Sequence, residues 1–420
     1  MNRWLLPDAI SDLLPAQAQA LEEMRRAILD CYRRCGYEMV VPPLIEYLDS
    51  LLIGSGGDLE HKTFKLVDQI SGRTLGVRAD ITPQVARIDA HMLHERQVTR
   101  LCYCASVLRT RPNGLEASRE PIQIGAEIYG HAGLEADIEA VDLLLQSLAI
   151  AGIGGGADGR NGGGGGGGRV RLDLCDLGLV RLLLADLPDV QEEDVFALLQ
   201  ARDLPDLREL LKPVADRPAA AAVLELAQCF GPADAALSRA RRTLQRWPQA
   251  LVLLDRLEQV VRSPRLIRHQ ASVEIALDLA DVRGFRYHTG LCFAVFAERH
   301  AQAVGRGGRY DGIGAVFGRD RAATGFSLDL RELVELRELT HPTAAASVIA
   351  APWSDDPELM ALVGELRASG QIVMQLLPGQ TDFGPDQNVD RRIEKDNGGW
   401  KVRNAGAPVA GATLAKRSGS

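Results

Sequence analysis

Residues 121–130 read PIQIGAEIYG. Side chains alternate across a strand, so Ile122, Ile124, Ala126 and Ile128 share one face, and Gln123, Gly125, Glu127 and Tyr129 the other. A strand inside a covered sheet is usually apolar on both faces. Here one face carries an amide, a gap and a carboxylate: groups to orient a small polar ligand and room to admit it. A solvent-facing strand would alternate in the same way, so on this segment alone the two readings stand even.

Further β patterns flank this strand. TFKLVD (63–68), TLGVRAD (74–80) and RLCYCASVLRT (100–110) precede it, and ASVEIALDLADVRG (271–284) and LCFAVFAE (291–298) follow. Helical patterns separate them. Residues 16–35 repeat apolar positions at Leu21, Met24, Ile28 and Tyr32 after Pro15, with Gly36 as a left-handed stop. Thr82–Pro83 predicts a helix running to about His94, with the Thr82 hydroxyl as its cap. Residues 134–151 place Ile138, Val141, Leu144, Leu145 and Leu148 on one face. Residues 177–263 are leucine- and alanine-rich helix. The pattern predicts an α+β core, an antiparallel sheet flanked by helices and interrupted by a helical insertion.

The predicted divisions are 1–175 for the first part of the core, 176–270 for the helical insertion and 271–340 for the second part. A small α/β segment over 341–403 and a disordered tail over 404–420 complete the chain. The glycine-dense run 152–168 reads as a flexible loop and not a phosphate cradle, because glycine loses most backbone entropy on ordering.

Bulk properties narrow the function. The chain has 420 residues, 46% of them hydrophobic and 25% charged, which suits two or three globular domains. A net charge of −8 gives no global attraction for nucleic acid. Seven cysteines without a CxxC pair fit reduced thiols better than a disulfide framework. The N-terminal segment is interrupted by Pro7, Asp8 and Asp12, and no run is long and apolar enough to span a membrane, so a cytoplasmic protein is expected. His91 and His94 lack a third ligand at metal-site spacing, and Cys102 and Cys104 read as buried thiols, so no metal is expected.

Polar groups on or beside strands form the candidate site. Arg78, Asp80 and Thr82 alternate in VRADITP, and Arg109 closes a strand. Glu274, Ala276 and Asp278 form a second polar strand face, followed by Arg283, Tyr287 and His288 in RGFRYHTG. An α-amino acid calls for such a set: a carboxylate for its ammonium, an arginine for its carboxylate and further polar groups for its side chain.

With these residues assembled, the chain from about 1 to 336 resembles the catalytic core of histidyl-tRNA synthetase, a class II aminoacyl-tRNA synthetase fold. YEMVVPPLIE, with Pro43 and Glu46, resembles the dimer-forming first motif. The resemblance implies that Asp80 and Thr82 hold the substrate ammonium, Gln123 its backbone and Glu127 its imidazole. VRGFRYHTG resembles the histidine-specific segment and implies roles for Arg283 and Tyr287, with His288 where the family has a second tyrosine; GGRYDG adds Tyr310. Arg109 stands where the family's second motif has its phosphate-binding arginine.

The ATP half departs from the pattern. Asp329 and Glu332 replace the final motif's glycine and arginine, and Arg111 replaces the glutamate that reads adenine. A carboxylate facing a triphosphate loses an attraction and adds a repulsion. The segment 342–403 is about half the length of an anticodon-binding module. RADITPQ and YHTG are similar to the regulatory paralogues of this family, the ATP phosphoribosyltransferase regulatory subunits. That resemblance implies a non-catalytic, histidine-binding protein without a cofactor, acting in the first step of histidine biosynthesis. Its partners would be the short-form catalytic subunit and a second copy of itself, and it would bind no tRNA. Two other readings compete: a divergent working synthetase, and a stand-alone amino-acid-binding protein.

Overall fold

The computed structural model describes residues 5–53, 56–93, 95–112, 114, 117–154, 168–282, 284, 287–298, 300–340, 346–380, 383, 387–396 and 398–404. The expectations for Arg283, for most of the glycine-dense run and for the tail after 404 lie outside these residues. The chain divides into two units, Met1–Pro342 and Thr343–Ser420.

The first unit opens with α1 (Pro15–Arg34), β1 (Glu38–Met39), β2 (Ile45–Tyr47), α2 (Leu48–Leu52) and α3 (Gly56–Lys62). It continues through β3 (Phe64–Val67), β4 (Thr74–Val77), α4 (Thr82–Met92), β5 (Thr99–Ser106), β6 (Ile122–Tyr129), α5 (Leu134–Ile150) and β7 (Val170–Asp176). A helical run follows: α6 (Leu177–Leu184), α7 (Glu192–Ala201), α8 (Leu204–Leu211) and α9 (Pro218–Leu226). After the short β8 (Phe230–Pro232) it resumes with α10 (Ala233–Thr243), α11 (Pro248–Val261) and α12 (Pro264–Ile267). The unit closes with β9 (Val273–Asp278), β10 (Leu291–Ala297), β11 (Ala303–Arg309), β12 (Ala323–Asp329) and α13 (Leu330–Thr340).

Among the described residues, nine strands form one sheet in the order β1-β5-β6-β12-β11-β10-β7-β9-β8. The expected antiparallel pairing holds through the centre, where β6, β12, β11, β10 and β7 alternate in direction. Two joins differ: β1 pairs with β5, and β7 with β9, in parallel. The helices α6–α12 between β7 and β9 return the chain far enough to enter the sheet in the same direction, which no hairpin can do.

Those helices close no core of their own. Leu183, Phe196, Leu207, Val223 and Leu254 belong to the same hydrophobic cluster as Ile124 and Ile128 of β6, Leu172 of β7 and Val141 of α5. Helix α1 packs into it through Met24, Ile28 and Tyr32, and the Tyr32 hydroxyl meets Ser147 of α5 at 3.0 Å. Gly36 has a φ of 84°, the left-handed stop after α1. Burying a large apolar side chain here is worth about 1.5–3 kcal/mol, which fixes the apolar face of β6 inward and its polar face toward the opposite side of the sheet.

The second unit comprises β13 (Val348–Pro352), α14 (Pro357–Ala368), β14 (Ile372–Leu376), β15 (Val389–Asp396) and β16 (Gly399–Asn404). Its sheet runs β14-β13-β15-β16, and α14 packs on it through Leu359 and Val363 against Ile349, Ala351, Val373 and Ile393. Asp356 ties the unit together. It caps α14 through the Glu358 amide at 3.0 Å and accepts from Lys395 at 2.8 Å and Trp400 at 2.9 Å. The Lys395 and Trp400 bonds hold its carboxyl down at about 2.

Candidate functional site

A cavity of about 400 Å³ opens on the polar face of β6, beside β11 and β12. Three glycines on these strands leave no room for a side chain. A methyl group on Gly125 would collide with the Tyr103 ring, one on Gly307 with the Gly325 carbonyl, and one on Gly325 with the Glu127 carboxyl. Gly307 and Gly325 line the cavity, whereas Gly125 does not: the space beside it, expected to be a gap, is filled by the Tyr103 side chain.

Glu127 lies at the bottom, 1% exposed. Its Oε1 accepts from the Tyr103 hydroxyl at 3.0 Å and the Thr82 hydroxyl at 3.2 Å. Its Oε2 accepts a short bond from the Tyr310 hydroxyl. Burial pushes the Glu127 carboxyl up to about 8, against the hydrogen bonds from Tyr310 and Tyr103, which pull it down. Tyr287 stacks on Tyr310, with centroids 5.0 Å apart and planes at 27°. The Tyr287 hydroxyl is buried and has no hydrogen-bond partner among the described residues. His288 also lines the cavity; its Nδ1 is buried with no hydrogen-bond partner among the described residues, and burial holds the imidazole down at about 4, so the ring is neutral near pH 7.

Asp80 forms the second acidic wall. Its Oδ1 accepts from the Thr82 amide and from Gln123 Nε2, both at 3.0 Å. Gln123 is 4% exposed and spends its amide on the protein, donating to Asp80 and accepting from the Ile81 amide at 3.0 Å. It stands one hydrogen bond behind the cavity surface and orients Asp80.

Several positions differ from the sequence expectation. Thr82 starts α4 without capping it, because its hydroxyl turns to Tyr103 and Glu127. Arg78 points away from Asp80 and donates to the carbonyls of Ser106 at 2.9 Å and Pro42 at 2.8 Å, joining three chain segments. The polar face of β9 is elsewhere: Glu274 is exposed, and Asp278 pairs with Arg202. Arg109 does not line the cavity; its Nε donates to the Ala79 carbonyl at 3.3 Å. Arg309 of GGRYDG is buried against Asp137 at 2.9 Å and serves the core.

The structure adds groups that the sequence reading passed over. Tyr103 faces Gly125 across β5 and β6, a position that the alternation of RLCYCAS could have flagged. Lys62 of α3, Gln200 of α7 and Arg306 of β11 also line the cavity. Lys62 and Gln200 come from helices far away in sequence and left no local signal.

Two of the three positions where the resemblance places lost ATP contacts, Asp329 and Glu332, are engaged within the protein. Asp329 Oδ1 accepts from the amides of Arg331 at 3.0 Å and Ile122 at 3.2 Å, at the start of α13. Burial raises its carboxyl to about 6, against the bond from the Arg331 amide. Glu332 Oε1 meets His300 Nε2 at 2.6 Å, and Arg111 is exposed.

The cavity thus brings together the carboxyls of Asp80 and Glu127, the cationic side chains of Lys62 and Arg306, and the aromatic residues Tyr287, His288, Tyr310 and Phe326. Among the described residues no cluster of His, Cys, Asp or Glu could hold a metal ion, and no helix is long and apolar enough to cross a membrane.

Residues 9–333 match the family model for histidyl-tRNA synthetase, and 346–403 match that for the ATP phosphoribosyltransferase subunit HisZ C-terminal domain. The ATP phosphoribosyltransferase regulatory subunit of Cupriavidus necator is 49% identical over 405 residues, covering 96% of this chain and 99% of that one. The protein of the same name from Burkholderia ambifaria is 47% identical over 404 residues, with coverage of 96% and 99%. Among solved structures, an ATP phosphoribosyltransferase regulatory subunit/histidyl-tRNA synthetase from Bacillus halodurans superposes with a TM-score of 0.75 at 26% identity, covering 91% of this chain and 95% of that one. Histidyl-tRNA synthetase from Nostoc sp. PCC 7120 shares the fold at a TM-score of 0.73 and 17% identity, with coverage of 93% and 91%. The chain belongs to the family of ATP phosphoribosyltransferase regulatory subunits, proteins built on a histidyl-tRNA synthetase-like core.

Proposed function

We propose that this chain is the non-catalytic regulatory subunit of ATP phosphoribosyltransferase, required for the first step of L-histidine biosynthesis, and that it senses L-histidine in the cavity above β6. One observation carries the reading. The amino-acid half of a synthetase pocket is kept around Glu127, Asp80, Tyr287, His288 and Tyr310, while Asp329 and Glu332 stand where the ATP-binding half needs a glycine and an arginine. Histidine's ammonium meets Asp80, and its imidazole enters between Glu127 and the Tyr310–Tyr287 stack. Thr82, Gln123 and Arg109 position these groups; the family resemblance adds a role for Arg283, which lies outside the described residues.

The partner is the short-form catalytic subunit, and histidine feedback follows from linkage. Histidine must bind the inhibited complex more tightly than the active one, and the phosphoribosyl substrates must weaken histidine by the same factor. Self-association uses the first-motif region, where Met39, Val41, Leu44 and Ile45 are each between 45% and 74% exposed, an apolar strip a monomer would leave wet. Sedimentation of the isolated chain tests that part: a dimer is expected, and a monomer at micromolar concentration would contradict it.

Two assays separate this function from a working synthetase. Calorimetric titration should show saturable histidine binding, and histidine-dependent ATP–pyrophosphate exchange should be absent. Exchange at a synthetase-like rate would overturn the proposal.

A further inference from the structure

The pocket proposed above gives the ligand's ammonium to Asp80 and its ring to Glu127, and leaves its carboxylate without a partner. Arg109, which the resemblance offers, does not line the cavity. Among the described residues that do, the cations are Lys62 and Arg306. Burial raises the Glu127 carboxyl to about 8, so near pH 7 the wall holds two cationic side chains against the one carboxylate of Asp80. A ligand carboxylate taken out of water calls for a cation beside it.

The register of the sheet decides which cation. Glu127 of β6 lies opposite Gly325 of β12. One step along the same face, Gly125 lies opposite Ser327, and Ser327 lies opposite Arg306 of β11. The Tyr103 side chain covers Gly125, so Ser327 and Arg306 are the side chains of that row that open on the cavity, and both line it. Ser327 is two residues from Gly325, about 7 Å along the strand, a span that histidine bridges from ring nitrogen to carboxylate. Lys62 enters from the other side. Its carbonyl accepts from the Thr110 amide at 3.0 Å, next to Arg109, whose Nε donates to the Ala79 carbonyl at 3.3 Å. It therefore stands on the Asp80 side, where the ligand's own ammonium belongs.

The surroundings of Arg306 leave this role open to it. Its second cross-strand neighbour is Ala294 of β10, and the next residue of the row is Asp173 of β7. Asp173 and Asp281 line, with Arg306, a smaller recess of about 140 Å³ that shares Gly284, His288 and Gly307 with the main cavity. Asp173 sits two strands from Arg306, about 10 Å, and Arg171 holds both of its oxygens at 2.8 Å. At the junction of recess and cavity, Arg306 presents a planar fork that a carboxylate matches with two parallel bonds.

We infer that Arg306, with the Ser327 hydroxyl beside it, binds the ligand's carboxylate, and that this contact makes the cavity select an α-amino acid over an amine or alcohol bearing the same ring. The inference rests on the histidine pocket proposed above and adds the group that chooses among ring-bearing ligands. The ring is read at Glu127 and the carboxylate one step along the strands, so separate substitutions report on each.

Calorimetric titration of the full chain at pH 7 with L-histidine and with L-histidinol, in which a hydroxymethyl group replaces the carboxylate, tests it. Wild type should prefer histidine by about tenfold or more. Arg306→Ala should weaken histidine about 10- to 150-fold and change histidinol by less than about threefold, so the preference disappears. Arg306→Lys, which keeps the charge without the fork, should recover part of it. Glu127→Gln should weaken both ligands, because both carry the ring, and Lys62→Ala should leave the preference in place. Arg306 is exposed, so its replacement should leave the ligand-free chain melting close to wild type. Wild type that binds neither ligand would overturn the histidine pocket and this inference with it. Saturable histidine binding matched by histidinol, or a preference that survives Arg306→Ala or vanishes in Lys62→Ala, would overturn the inference alone.

Discussion

Replacing Glu127 with glutamine probes the proposed histidine pocket through its pH dependence. The Glu127 carboxyl is held up at about 8 by burial, while a free histidine ring titrates near about 6.5. Between these values the empty site carries the proton on Glu127 and the ligand ring is neutral. The complex needs that one proton shared between carboxyl and ring. Below about 6.5 both partners are protonated and one proton must leave on binding; above about 8 neither is, and one must be taken up. Each unit outside the window costs a factor of about ten in affinity. A hydrogen bond to a charged group contributes about 1.5–3 kcal/mol, so Glu127→Gln should weaken histidine about 10- to 150-fold at pH 7. Glutamine does not titrate, so the part of the alkaline decline that belongs to Glu127 disappears in the variant. Calorimetry from about pH 5.5 to about 9 reads both effects; loss of the ligand's own ammonium proton at the alkaline end weakens wild type and variant alike, so the ratio of their affinities is the readout. A wild-type affinity that stays flat from pH 7 to 9, or a variant within twofold of wild type, would refute this assignment of Glu127.

Other substitutions probe the framework. A carboxyl whose pKa is raised in the fold stabilises below its unfolded value of 4.5, and that contribution is lost as pH rises through about 8. Glu127→Gln without ligand should therefore melt higher than wild type above pH 8; an unchanged difference across pH would count against the buried, protonated state. Gly325→Ala drives a methyl group into the Glu127 carboxyl and should cost about 1–3 kcal/mol along with histidine binding, read by urea unfolding and calorimetry. Arg309→Met strands the fully buried Asp137 carboxyl and should destabilise the first unit by about 3–5 kcal/mol. Asp329→Ala removes the acceptor for two amides at the start of α13 and should cost about 0.5–2 kcal/mol, measured by chemical denaturation.

Most of the architecture could be read from periodicity. The α1 face and its stop at Gly36 follow from 3.6-residue spacing and a single glycine, and the polar face of β6 follows from strict alternation. The parallel joins of β1 and β9 were not legible, because strand direction depends on where a long connection returns and not on the strand's own residues. Within the site, Asp80, Glu127 and Tyr310 were readable because each lies on or next to a strand with a fixed outward face. Arg78 and Thr82 show the limit of that reading. Alternation gives a side chain's face, but local hydrogen-bonding opportunities decide its partner, here the Pro42 carbonyl for one and Glu127 for the other. Lys62 and Gln200 reach the cavity only through tertiary packing, so nothing in their own segments announced them.

The central claim meets its most direct test in phosphoribosyl-ATP formation by the short-form catalytic subunit of the same genome, measured with and without this chain across a histidine titration. The account predicts that adding the chain raises the rate and that histidine then lowers it, with inhibition weakened in Glu127→Gln. A rate indifferent to the chain, or inhibition that is unchanged when Glu127 is replaced, would contradict it.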